Sequence, residues 1–310
     1  MTMECPNSPA RQQLLLVDGH AFAYRAFFAI RSLSSPEGMA TNAIYGFIRM
    51  LGRMQAAVRP SHIAVVWDGG LAPERMVLLP QYKAQRPEMP RDLELQLDQI
   101  VAYLHAANIL SVLQEGCEAD DLIAALAGQA VAAGLEVVIA SSDKDFMQLV
   151  SPHVRLLNPQ EKSDTLWGQE EVKARTGVES TQIVAWLSLT GDAVDNIAGV
   201  PGVGAKTATA LLRQFGSIDG LYRRLEEVRP ERLRLQLQAS AEVVRRNEQL
   251  VRLKCEVPYE VSLEQLACKP ADAPALRQLF ARWGFKSLLR QLEQTRQPAG
   301  DLFPETAGAC

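Results

Sequence analysis

Nine carboxylates fall in five short clusters along the chain: Asp18 in LLLVDGH, Asp68 in IAVVWDG, Glu118, Asp120 and Asp121 in GCEADD, Asp143 and Asp145 in IASSDKD, and Asp192 and Asp195 in TGDAVDN. Three of the clusters follow apolar, β-branched runs: Leu14–Val17, Ile63–Trp67 and Val137–Ala140. In an open α/β sheet such runs are buried parallel strands, and ligands collect beyond their carboxyl ends. Acids placed there by several strands converge. Two unit charges about 4 Å apart repel by roughly 1–4 kcal/mol near a surface, so a bare cluster of this size calls for divalent cations. Oxygen ligands without Cys or His favour magnesium, with manganese as a substitute. A lone acid opening a helix is adequately explained by the helix's positive end. Three acids within Glu118–Asp121 exceed what capping needs. The Asp-x-Asp spacing of Asp143 and Asp145 is weak evidence alone and gains force beside the other clusters.

Two further stretches carry positive charge. The segment GVPGVGAKTATALLRQFG, Gly199 to Gly216, reads as a glycine turn between helices. Gly202 and Gly204 bare backbone N–H groups, the next helix adds its positive end, and Lys206 adds a full charge. Together these form a helix-hairpin-helix grip on a DNA phosphate. A plain αα-hairpin needing glycine for φ > 0 is the structural alternative. The second stretch, YKAQRPEMPRD from Tyr82 to Asp92, is basic. If helical, it sets Lys83 and Arg86 on one face, where they would neutralise charge on a pentavalent phosphate; an exposed basic loop is the alternative.

These side chains need a scaffold, and the hydrophobic pattern supplies one. Strands are expected at Leu14–Val17, Ile63–Trp67, Ile109–Leu113, Leu135–Ala140 and Val154–Leu157, with helices at Ala43–Val58, Leu93–Ala107 and Ala119–Ala133. That alternation specifies a doubly wound, mostly parallel sheet. Past residue 170 the β-branched runs stop, and helices are expected at Gln182–Leu189, Ala205–Phe215, Gly220–Leu225, Arg232–Leu253 and near Ala275–Phe280. The expected domains are a catalytic unit over 1–175, a helical DNA-binding unit over 176–296, and a loose tail over 297–310.

With 310 residues, 47% apolar and 22% charged, the chain has the composition of a two-domain soluble protein. Five scattered cysteines without CxxC or Cys/His spacing exclude a zinc ribbon or a disulfide framework and fit a reduced cytoplasm. No signal pattern or 18-residue apolar run points to a membrane. The net charge of −4 hides a basic stretch: Ala205 to Cys255 holds eleven Lys/Arg against six acids, a surplus of five. That sign suits a polyanion beside the acids, although a solvated helix surface explains many single arginines equally well.

The ordered set LLVDGHAFAYRAFFA, YGF, VVWDG, YKAQRPEMP, GCEADDLIA, SSDKDFMQL, LTGDAVDNIAGVPGVGAKTA and WGFKSLL resembles the 5′-nuclease domain of bacterial DNA polymerase I and its stand-alone flap endonuclease relatives, from about Leu14 to about Leu292. The resemblance implies a PIN-like core, a helical arch at about 70–95, and a helix-hairpin-helix module (H3TH) that holds duplex DNA. It implies two metal ions among all nine acids: Asp18, Asp68, Glu118 and Asp120 for the first with Asp143 shared, and Asp121, Asp145, Asp192 and Asp195 for the second. Arg25, Lys83 and Arg86 match the family's phosphate-steering cations; Tyr82, Gly202, Gly204 and Lys206 are assigned to DNA. A potassium ion in the glycine hairpin is implied by relatives. Two departures stand out: Trp67-Asp68-Gly69 where the family reads Phe-Asp-Ala, and the apolar stretch Leu71–Pro80 at the arch entry.

The reading is a bacterial, nucleoid-associated, monomeric 5′-3′ exonuclease and flap endonuclease. It cuts 5′-flapped, nicked, branched or RNA-primed duplex DNA by two-metal hydrolysis in replication and repair. A small-molecule Mg²⁺ phosphatase would have no use for the glycine hairpin, and a DNA binder without catalysis would lack some of the acids. No polymerase domain follows residue 292, which leaves a free nuclease or a fragment of a polymerase. Asp301-Leu302-Phe303 resembles part of a sliding-clamp docking peptide, giving the clamp and DNA polymerase I as further partners.

Overall fold

The computed structural model describes residues 12–158 and 165–294. The tail at 297–310, with its clamp-like triplet, lies outside them. Five parallel strands form the sheet: β1 (Gln13–Asp18), β2 (His62–Trp67), β3 (Leu110–Leu113), β4 (Glu136–Ala140) and β5 (Val154–Leu157). A sixth, β6 (Leu166–Trp167), runs antiparallel to β5, and the order is β3-β2-β1-β4-β5-β6. The first connection therefore winds one way from β1 and β4 returns on its other side, so β1 is the point where strand order reverses. Register fixes the consequence. Asp18 pairs with Val66, two residues before Asp68, and Val17 pairs with Ala140, three before Asp143. Three acidic clusters thus meet at one edge of adjacent strands.

Alternate strand residues feed two cores. Leu15, Val17, Ile63 and Val65 face α1 (Gly19–Ala29), α2 (Asn42–Val58) and α4 (Arg91–Ala106). Leu14, Leu16, Ala64 and Val66 face α5 (Ala119–Ala132). The second core runs without interruption into the helical half, through α6 (Gln169–Thr176), α7 (Ile183–Thr190), α8 (Ala205–Phe215), α9 (Ile218–Arg223), α10 (Glu231–Ala239) and α11 (Ala241–Val251). The helix expected over Arg232–Leu253 is two helices. They break at Ser240, which is 8% exposed and lets Leu237 and Val244 both bury fully. After α12 (Leu263–Leu266), α13 (Ala273–Trp283) and α14 (Lys286–Gln294) return to the first core, where Phe280, Trp283 and Phe285 pack with residues of α2 and α4. Strand β6 and a small hairpin, Gly191–Asp192 with Ile197–Ala198, went unread because two-residue strands carry no alternation. Among the described residues no helix is long and apolar enough to cross a membrane.

The segment expected to arch over the site lies down upon it. Within the expected 70–95 it holds the short α3 (Pro73–Leu78), turns to Gln85, and then the start of α4 at Arg91. Arg75, Tyr82 and Lys83 are 2%, 2% and 7% exposed. The Trp67-Asp68-Gly69 departure has a steric basis. A Cβ at Gly69 would lie 1.8 Å from the carbonyl oxygen of Gln114, while the Trp67 indole donates to Ser111 Oγ at 2.8 Å and covers Gly19.

Candidate active site

Beyond the strand ends lies a cavity of about 480 Å³ lined by Asp18, Asp68, Asp120 and Asp143, with Lys83, Arg86, His20 and Tyr24. Asp18 caps α1, accepting from the Ala21 N–H at 3.0 Å, while Ser141 Oγ donates to its second oxygen at 3.0 Å. Asp68 accepts from Ala119 N–H at 2.9 Å, the first turn of α5. Asp143 caps the turn that follows it, accepting from the Asp145 N–H at 2.9 Å. Each acid is therefore held by a backbone amide at the start of a helical turn, where partial positive charge favours it.

A second group adjoins the first. Carboxylate oxygens of Asp145, Asp192 and Asp195 lie within 4.8 Å of one another, all three residues buried. The Oδ1 atom of Asp145 has no hydrogen-bond partner. An orphaned buried carboxylate oxygen facing two more carboxylates is a donor set for a hard divalent cation, and the residues fit one.

Glu118 sits between the groups and is 1% exposed. It accepts from Lys83 Nζ at 2.5 Å, Tyr82 Oη at 3.1 Å and Ala72 N–H at 3.1 Å, and Arg75 lies 3.1 Å away. Asp121 is gripped by both arms of the Arg75 guanidinium at 2.8 Å. Asp195 accepts from Arg86 at 2.7 Å and from Tyr82 at 3.3 Å, and Lys144 stands 3.3 Å from Asp192.

The sequence expectations divide accordingly. Lys83 and Arg86 reach one site but not from a helix face: Lys83 adopts φ 55° in a turn, and its N–H donates to Asp195 O at 3.1 Å. Tyr82, expected among the DNA contacts, is instead buried with its hydroxyl bridging Glu118 and Asp195. Arg25 is half-buried on α1, outside the cavity lining, and its side chain makes no hydrogen bond or ion pair among the described residues. Gly202, Gly204 and Lys206 are exposed at the glycine hairpin. Gly202 has φ 78°, the left-handed conformation that glycine supplies, and α8 starts at the exposed Gly204 and Ala205 with no side-chain cap.

Missed altogether was His20, despite its place in LLLVDGH. Its Nδ1 accepts from the Asp68 N–H at 3.2 Å and its ring meets Trp67 edge-on at 5.2 Å. Burial lowers its pKa against the pull of Asp68, so a neutral imidazole orients that aspartate.

Burial dominates the protonation of Asp18 and Asp120. It raises Asp18 to about 6 and Asp120 to about 8, with the neighbouring acids adding to the rise. Burial also pushes Glu118 upward, but Lys83 and Arg75 outweigh it and hold Glu118 below the usual range. Lys83 loses to burial and gains more from Asp120, Glu118 and Asp195, so it stays protonated. For the metal-free protein the linkage has a definite sign. Acids with raised folded-state pKa values bind more protons folded than unfolded, so stability falls as pH rises. The melting temperature without divalent cation should therefore drop from pH 4 through about 6 and on to about 8, the window set by Asp18 and Asp120. Magnesium should restore most at the alkaline end. A chelated sample whose melting temperature rises across this range would contradict the cluster.

The basic stretch resolves into pairs and a remainder. Arg224 pairs with Glu227, Arg234 with Glu226 and Glu231, and Arg245 with Asp219 and Glu248. Those are solvated surface pairs worth little. Lys206, Arg229 and Arg232 instead line one groove of about 690 Å³ between α8 and α10 with no acid among its walls.

An acidic pocket at the switch point of a parallel sheet, joined through one core to a glycine hairpin beside a basic, acid-free groove, defines a nuclease-type α/β protein with a helical module for a polyanion. The family model described as "5′-3′ exonuclease, N-terminal resolvase-like domain" matches residues 13–177, and "5′-3′ exonuclease, C-terminal SAM fold" matches 178–274. The chain belongs to the 5′-3′ exonuclease family. It is 38% identical over 281 residues to a 5′-3′ exonuclease of Aquifex aeolicus, covering 91% of this chain and 95% of that one. It is 36% identical over 285 residues to DNA polymerase I of Bacillus caldotenax, covering 91% of this chain and 32% of the polymerase. The chain thus spans about a third of the polymerase's length. The 5′-exonuclease of bacteriophage T5, solved with zinc ions, shares the fold at 21% identity, with a TM-score of 0.66 over 92% of this chain and 98% of the other. The catalytic core of Rad2 in complex with DNA does so at 16% identity and a TM-score of 0.63, over 91% of this chain and 92% of the other.

Proposed function

We propose that the chain hydrolyses phosphodiesters in 5′-flapped, nicked, branched or RNA-primed duplex DNA, using two Mg²⁺ ions, in replication and repair. The observation that carries this is the shared setting of the two acid groups: Lys83 and Arg86, which line the cavity of Asp18, Asp68, Asp120 and Asp143, also reach Asp195 of the second group. One ion would be held by Asp18, Asp68, Asp120 and Asp143 near Glu118, the other by Asp145, Asp192 and Asp195. Bound cations would supply polarisation of the phosphate and activation of water. The chain's own part is positioning. Lys83 and Arg86 meet the scissile phosphate and offset its growing negative charge. His20, the Ala119 amide and Ser141 fix the aspartates that surround it. The α8 N-terminus and Lys206 hold the duplex by its backbone, with Arg229 and Arg232 beside them. A potassium ion in that hairpin, a monomeric nucleoid-associated state, and partnership with DNA polymerase I or a sliding clamp rest on the sequence alone.

A labelled 5′-flap duplex tests the reading: cleavage should need Mg²⁺ and stop with EDTA. EDTA-resistant or absent cleavage would refute it. Lys206→Ala and Gly204→Val should weaken binding to every duplex sequence alike and leave the single-turnover rate intact. Gly204 has φ −94° and open space at its Cβ, so valine folds there and obstructs only the phosphate. Losing the lysine contact should reduce the salt slope of binding by about 1; unchanged affinity would move the duplex elsewhere.

A further inference from the structure

Adjacent acids on α5 have opposite fates. Asp120 lines the cavity, whereas Asp121, about 100° further round the helix, is 1% exposed and turned toward α3 and α11. Both Asp121 oxygens accept from Arg75 at 2.8 Å, and Oδ1 also accepts from the Lys254 N–H at 2.8 Å. Arg75 is itself fully committed. Its Nε donates to Leu250 O at 3.0 Å, one terminal nitrogen serves Asp121 and lies 3.1 Å from Glu118, and the other serves Asp121 and Arg252 O at 3.2 Å. A guanidinium has five N–H donors, and five partners surround this one. Two of them are carbonyls at and just past the end of α11, where a helix leaves acceptors unpaired and favours a cation.

The same exit of α11 is stitched a second time. Gln148 donates to Asp145 O at 3.0 Å and to Val251 O at 2.9 Å, and accepts from Leu253 N–H at 3.0 Å. The helical module is thereby tied to α3, to α5 and to the turn bearing Asp145.

We propose that Arg75 and Asp121 form a positioning clasp that locks the exit of the helical module to the acidic site, and that Asp121 stands outside the metal-ligand set. A carboxylate with both oxygens committed to a buried guanidinium would have to break that pair to ligate an ion, leaving a buried unpaired cation. The clasp sets Glu118 through Arg75 and fixes the root of the segment that carries Lys83. Lysine, with one nitrogen, cannot span these partners.

The inference rests on the proposed two-ion site, and its test separates the two. Mn²⁺ is titrated into the DNA-free protein, and bound ions are counted for wild type, Asp121→Asn and Asp145→Asn. Two ions are expected for wild type and for Asp121→Asn, and one for Asp145→Asn. Wild type binding none sinks the proposed function; Asp121→Asn losing an ion as Asp145→Asn does overturns the clasp. Arg75→Lys supplies the second arm, measured well below its melting temperature. Its single-turnover rate should fall about 10–100-fold, the range for supporting partners of a site, with flap affinity within about threefold. An unchanged rate, or equal loss of rate and affinity, would leave Arg75 with no positioning role.

Discussion

Asp68→Asn should cleave a 5′-flap duplex at no more than about one thousandth of the wild-type rate, while flap binding stays within a few-fold. Asparagine keeps the acceptor for the Ala119 N–H, which Asp68 holds at 2.9 Å, so α5 retains its start. Only the negative charge at the cavity wall is lost. Removing a single electrostatic stabiliser typically costs about 10²–10³ in rate, and a group that both holds a cation and faces the phosphate should exceed that. In the proposed reading affinity is carried elsewhere, by Lys206, Arg229 and Arg232, which line a separate groove. The measurement is a single-turnover time course at saturating Mg²⁺, paired with a binding titration in Ca²⁺. Turnover within tenfold of wild type would remove Asp68 from the catalytic set.

Lys83→Ala should lower the single-turnover rate by about 10²–10³ with little change in the dissociation constant, because a cation used on the developing phosphorane acts on the chemical step. Its neighbours make the variant clean. Glu118 keeps Arg75, Tyr82 and the Ala72 amide, so it is not stranded. The turn at φ 55° is already adopted by a non-glycine residue and places no new demand on alanine. Since the surrounding acids raise the Lys83 pKa despite burial, its loss should be equally severe from pH 6 to pH 9. An effect confined to affinity would make Lys83 an ordinary phosphate contact.

Much of this was legible in the sequence for a simple reason: strands buried on both faces are written as uninterrupted β-branched runs. Leu14–Val17 and Ile63–Trp67 therefore announced both their element and the fate of the acid that follows each. Gly202 of the hairpin was equally readable, since its φ of 78° is a local requirement that glycine meets. Composition could not show partnership. The pairs Arg224–Glu227, Arg234–Glu231 and Arg245–Glu248 are local at i,i+3, but the pairing of Arg234 with Glu226 and of Arg245 with Asp219, and the gathering of Lys206, Arg229 and Arg232 along one acid-free groove, depend on how the helices pack. The same holds inside the site. The sequence by itself determined that the acids following β1, β2 and β4 would gather at one edge of the sheet, because strand polarity and the 2.0 and 3.6 periodicities are local properties. Only the tertiary structure decided that Asp120 faces the cavity while Asp121 faces Arg75, that Tyr82 is buried, and that His20 steadies Asp68. Those outcomes depend on contacts between residues 36 to 177 positions apart, and no spacing along the chain encodes which face a distant helix will cover.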